Sequence, residues 1–148
     1  MFDFIEANLS NELHTPVPAY SNRNIGDLLE HNVLCYVGWL VYFNTPQLPE
    51  SITGLDFTSM PAIRMQYALV DNIVAGFLTR FESKINIPII GLHDRNGQLS
   101  ATPLQLFTHV LTHEFHHKGQ ILSMCRLLGH VPPDTDISLF FEYENSTR

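Results

Sequence analysis

Four stretches of the chain place apolar residues at the spacing of a helix that turns about 100° per residue. In the first, residues 2–13, Phe2, Ile5, Leu9 and Leu13 alternate with polar Asp3, Glu6, Asn8 and Glu12, and Thr15-Pro16-Val17-Pro18 stops the pattern. The second runs from Ile25 to about Phe43, behind Asn24 as N-cap and with Asp27 in the first turn. Ile25, Leu28, Leu29, Val33, Leu34, Val37, Trp39, Leu40 and Val41 make it apolar around much of its girth, so neighbours should cover it well. Ser59 and Pro61 open a third helix reaching about Phe81 or Lys84, with Ile63, Tyr67, Val70, Val74, Phe77, Leu78 and Phe81 in period. The fourth, residues 103–129, has the strongest marks. Thr102 caps it, Pro103 takes its first position, Gln105 stands where a capping-box partner belongs, and Gly129 ends it. Leu106, Val110, Leu111, Phe115, Ile121, Leu122, Cys125 and Leu128 supply its packed side.

Between these helices lie two connections of different character. Residues 44–60, with Pro46, Pro49 and Gly54, form a crossover longer than an ordinary bundle hairpin. Residues 85–101 lose the helical period. Ile85, Ile87, Ile89, Ile90 and Leu92 precede Asn96-Gly97, a tight-turn pair, which predicts a small two-stranded excursion or an ordered loop. Pro132 and Pro133 forbid a new helix at once after Gly129, and the apolar tail through Tyr143 should pack back across the bundle or into a partner subunit. The expected architecture is all-α: a single domain, residues 1–148, built as a four-helix bundle with a long crossover between helices 2 and 3.

Composition narrows the function. The 148 residues are 45% apolar, which suits one domain with a real core. Lys plus Arg number 8 against 15 Asp plus Glu, a formal charge of −7 with no basic cluster, so nucleic-acid binding is disfavoured. The longest apolar run, VLCYVGWLVYF, has 11 residues, too few to span a membrane. MFDFIEANLS lacks a basic region and a long apolar run, so no signal peptide is expected there and a cytoplasmic location is the simplest reading. Cys35 and Cys125 both fall in apolar helical patterns, where core packing is the default.

The chemistry concentrates in the fourth helix. His109, His113, His116 and His117 lie inside it and His130 just beyond, five of the eight histidines. His109, His113, His117, Gln120 and Met124 form one stripe, and two histidines at i and i+4 can aim their rings at one point, as a metal requires. A third ligand must come from elsewhere. His31, in the apolar second helix with Cys35 and Trp39 a turn apart on its side, is the best candidate, while Asn32 beside it should be exposed or hydrogen-bonded. Three neutral imidazoles leave coordination positions open, a catalytic rather than a structural pattern. Imidazole favours zinc, nickel, copper, iron and cobalt over magnesium or calcium. His116 falls off the stripe, Lys118 and Gln120 suit supporting roles, and His14, His93 and Asp94 should face solvent. His113-Glu114 through His117 also fits H-E-x-x-H, but Gln120 stands where the extended protease motif wants glycine, and Glu142 or Glu144 is only a formal distant ligand.

The run HVLTHEFHHKGQI, residues 109–121, closely resembles the signature of the DinB/YfiT-like superfamily, in which a last helix carries His, three residues, His, a basic residue, Gly and Gln. Here these are His113, His117, Lys118, Gly119 and Gln120, with Lys118 where the family more often has Arg. The family's further histidine, with Trp eight residues on, matches His31 and Trp39, and the Gly129 and Pro132-Pro133-Asp134 ending is similar too. The resemblance implies a bundle with an unusual down-down crossover, a divalent metal on His31, His113 and His117 (zinc or nickel foremost, iron, cobalt or manganese next), and a homodimer. It also implies a small-molecule substrate and a low-molecular-weight thiol as cosubstrate, in a thiol S-transferase or a related hydrolase-like enzyme. The alternative within the family is a non-catalytic metal-binding stress or interaction protein. The segment before His31 is shorter than is usual there and is interrupted by Pro16 and Pro18, so one wall of the pocket should differ or come from a partner.

Overall fold

A computed structural model describes residues 1–44, 54–93 and 97–141. In it the chain forms α1 (Phe2–Leu9), α2 (Ile25–Tyr36), α3 (Met60–Phe81), a hairpin of β1 (Ile89–His93) and β2 (Gly97–Ala101), and α4 (Pro103–Leu127). The two strands pair antiparallel, Ile89 opposite Ala101 and His93 opposite Gly97. This is the expected all-α bundle with a small two-stranded excursion. The strand-joining residues 94–96, residues 45–53 of the crossover and the tail from 142 on lie outside the described residues.

The helix starts follow the residues that mark them. Asn24 Oδ1 accepts the Asp27 N–H and the Asp27 carboxylate accepts the Asn24 N–H, each at 2.9 Å. At α4, Thr102 Oγ1 accepts the Gln105 N–H at 3.1 Å and Gln105 Oε1 accepts the Thr102 N–H at 2.8 Å. Both are complete capping boxes, each satisfying two backbone donors that a helix start leaves open. Ser59 Oγ accepts the Ala62 N–H at the start of α3. At the other end of α4 Gly129 turns at φ +92°, and the His130 N–H returns to the Cys125 carbonyl.

Two helices depart from the expected spans. The first stops at Leu9 instead of 13, because the Glu12 and Thr15 N–H groups bond three residues back, to Leu9 and Glu12, and tighten the chain into turns. Leu13 is nevertheless buried, so its apolar character serves a turn rather than a helix. The second is α-helical only to Tyr36. It widens into a π-helical segment, Val37–Val41, around Gly38, and then narrows to a 3-10 turn at Tyr42–Asn44. Leu34, Leu78 and Phe115, expected to pack inward, stand 45%, 37% and 48% exposed, because the helices are apolar over more of their girth than their neighbours cover.

The core has two parts, and their membership fixes the topology. One apolar cluster joins α1 (Ile5, Leu9), the start of α2 (Ile25, Leu28, Leu29), the start of α3 (Met60, Ile63) and the end of α4 (Ile121, Met124, Cys125). The other joins the end of the second helix (Val33, Tyr36, Val37, Leu40), the end of α3 (Val70, Phe77, Phe81) and the start of α4 (Leu106, Val110), with Ile89, Leu99 and Ala101 of the hairpin against it. The starts of α2 and α3 therefore lie at one end of the bundle. The two helices run parallel, which is why a crossover must join them, and α4 runs antiparallel to both. Between the clusters lies a layer that is polar on its α2 and α4 sides: His31 and Asn32, and residues 112–120.

Candidate metal centre

The antiparallel pairing of α2 with α4 sets two i, i+4, i+8 rows face to face: His31, Cys35 and Trp39 against His117, His113 and His109. The rings of His31 and His113 have centroids 5.0 Å apart, those of His31 and His117 4.9 Å, and those of His113 and His117 4.5 Å. His31 Nε2 and His113 Nε2 are 3.0 Å apart. One ligand nitrogen from each of His31, His113 and His117 lies within 4.8 Å of the others, a cluster able to hold a metal ion. His31 sits at the exposed edge, His113 is half-buried, and His117 is buried at 8% exposure, so the cluster opens outward past His31.

Gln120 fixes the innermost ring. Its Oε1 can only accept, so the contact at 2.7 Å makes His117 Nδ1 the donor and leaves His117 Nε2 with its lone pair. Gln120 Nε2 in turn donates to His116 Nε2 at 3.1 Å, which places the exposed His116 as the outer end of a relay and not as a ligand. The charge state fits the same use. Burial, then the charges of His117, His31, His109 and His116, hold His113 down from 6.5 to about 4. Burial and His117, with Arg23, lower His31 as well. These imidazoles are neutral at ordinary pH, with lone pairs free to bind a cation.

Glu114 is engaged elsewhere. Its Oε2 accepts the Tyr36 hydroxyl at 2.5 Å, on the interior side of α4 away from the ring cluster. Burial and the Glu114 contact both push the Tyr36 phenol up, so it remains a donor. Next to it Asn32 is 1% exposed, and its carboxamide faces the Tyr67 hydroxyl, opposing the rise that burial imposes on that phenol. Of the two expected states of Asn32, exposed or hydrogen-bonded, exposure is ruled out: the residue follows His31 on α2 and so points into the bundle when His31 points out.

The remaining singled-out residues scatter. His130 Nε2 meets Glu12 Oε2 at 2.6 Å and ties the turn after α4 to the turns after α1, away from the cluster. The exposed His14 has its Nε2 3.4 Å from the Thr58 carbonyl. Lys118 Nζ donates to the Thr135 carbonyl and lies 5.0 Å over the Phe115 ring. Asp94, Glu142 and Glu144 lie outside the described residues. Cys125 is core, as expected, but Cys35 is not merely packing: its thiol stands with His109 and His113 in a second group whose ligand atoms lie within 4.8 Å of one another. The sign of this was the placement of Cys35 one turn beyond His31.

The model of the DinB family matches residues 1–147. This chain belongs to the DinB family. It is also similar to Protein DinB of Bacillus subtilis (strain 168), 21% identical over 123 residues that cover 79% of this chain and 72% of that protein. No solved structure matches significantly. In this DinB-family chain the His-x3-His-Lys-Gly-Gln run of α4 therefore carries a histidine cluster completed from α2. Among the described residues, no helix is long and apolar enough to cross a membrane.

Proposed function

We propose that this DinB-family protein, taken as one domain, is a divalent-metal-dependent enzyme that transfers a low-molecular-weight thiol to small electrophiles, with His31, His113 and His117 as the metal ligands. The observation that carries the reading is the convergence of the His31 and His113 Nε2 atoms at 3.0 Å while Gln120 leaves His117 Nε2 available. The donor set fits zinc or nickel first, and iron, cobalt or manganese after them. A divalent cation held there supplies Lewis acidity and lowers the pKa of a thiol that binds beside it. The protein's own part is positional. Gln120 fixes the tautomer and orientation of His117, burial keeps His113 neutral, and the exposed edge at His31 admits the substrates. In the overall reaction the thiol loses its proton to solvent, its sulfur bonds to the electrophile, and the leaving group departs with the bonding pair.

The test is a turnover assay on metal-loaded protein with candidate thiols and a chromogenic electrophile. The expected result is a rate that the His113→Ala variant loses. A wild-type rate no higher than that of the variant overturns the reading for those substrates and leaves the non-catalytic metal-binding alternative. The same reading includes a homodimer. Pro132 is buried and Lys118 holds Thr135, yet Ile137, Leu139 and Phe141 stand 55%, 59% and 57% exposed, apolar area that a second copy would cover.

A further inference from the structure

We propose that Cys35, His109 and His113 form a second, thiolate-containing metal position, one helical turn along the same seam and selective for thiophilic divalent cations. The placement follows from the antiparallel rows. Cys35 is one turn past His31 on α2, and His109 one turn before His113 on α4, so stepping along the seam replaces the His31/His117 pair by Cys35/His109. The three ligand atoms lie within 4.8 Å of one another. The His109 and His113 rings stack at 5.7 Å with 28° between their planes, and Trp39 sets its ring against His109 at 4.7 Å, which closes the far side of the group. Cys35 is half-buried and in no disulfide, and the other cysteine, Cys125, belongs to the apolar cluster at the opposite end of the bundle.

The two positions differ in chemistry and share one ligand. Three imidazoles accept borderline cations broadly, whereas a thiolate with two imidazoles favours soft ones. A neutral imidazole has one lone pair to give, so a cation held by His113 in one position leaves the other a ligand short. The positions are therefore alternatives, and the softness of the cation decides which is filled. This goes beyond the catalytic reading and needs no turnover.

Cadmium is the probe, because a cadmium–thiolate bond absorbs in the ultraviolet. Titration of metal-free wild-type protein with Cd(II) should raise this band to saturation. Cys35→Ser should abolish it, His109→Ala should weaken the affinity at least about tenfold, and His31→Ala should leave it in place, all with unchanged helical circular dichroism. Absence of the band in the wild type overturns the proposal. So does a band that survives His109→Ala but is lost in His31→Ala, which would make Cys35 a fourth ligand of the three-histidine cluster. Nickel uptake separates the two readings: Cys35→Ser should still take up Ni(II) through the three histidines and His31→Ala should not. Failure of that arm strikes the three-histidine assignment alone.

Discussion

Gln120 matters more than its type suggests, because one amide oxygen decides which nitrogen of His117 faces the cluster. Removing such an outer partner costs about 10–100-fold in metal affinity. Gln120→Ala should show that loss in a chelator-competition titration and little change in thermal stability. Tyr36 is the opposite case. Tyr36→Phe leaves the part-buried Glu114 carboxylate without its donor, a cost of about 1–3 kcal/mol that urea denaturation should show with no comparable loss of metal affinity. The sign of the pH effect follows from His113. Its pKa is about 4 in the fold and 6.5 in the unfolded chain, so between these values the unfolded chain binds more protons. Stability of the metal-free protein should thus be complete above about pH 6.5 and fall as pH drops toward about 4. Urea midpoints across that window should decline, and less steeply in His113→Ala. The histidine cluster was legible in the sequence because two of its members share a helix at i, i+4 and the third stands in an apolar segment. Cys35 read as core because a thiol in an apolar helix has no mark of its own until the facing helix is known.

The elements are held by local chemistry that is easy to read and by close approaches that are not. Both capping boxes, at Asn24 and Thr102, follow directly from residue type and spacing. The π-helical segment at Val37–Val41 does not, since the apolar period runs through it without a break. That wider turn is where the second helix carries Trp39 to the edge of His109. The hairpin's seat is equally silent in sequence. A Cβ on Gly91 would stand 1.9 Å from the Phe43 carbonyl oxygen, which is backbone and cannot swing aside. Gly91→Ala should therefore destabilise by about 1–3 kcal/mol through overpacking, read as a lower melting temperature. Gly26→Ala should cost less, because the atoms it meets most closely belong to the His14 ring, on an exposed side chain that can rotate away, and the capping Asn24 Oδ1 stands farther off at 3.1 Å.

At the scale of the whole molecule, the parallel course of α2 and α3 was implied by the family resemblance, which the long crossover suits, and the two-part core shows it directly. The tail was only half legible. Its apolar residues promised packing, but among its described residues only Pro132 is buried, so the exposed apolar area of Ile137, Leu139 and Phe141 has to find cover elsewhere or stay wet. If a second copy covers it, sedimentation should show a concentration-dependent dimer that Leu139→Asp shifts toward monomer, with the ring cluster's metal affinity unchanged. The polar layer between the two apolar clusters has a dynamic consequence. Cooperative opening units follow contiguous apolar packing, and here such packing is interrupted midway along every pairing of α2 with α4. Without a cation, backbone amides at 112–120 should exchange hydrogen through openings smaller than global unfolding, while those near Ile25 to Leu29 and Ile121 to Cys125 exchange only with it. A bound cation that ties His31 to His113 and His117 would stitch the two halves into one exchanging unit, so occupancy would register as slowed exchange even where no catalysis is measured.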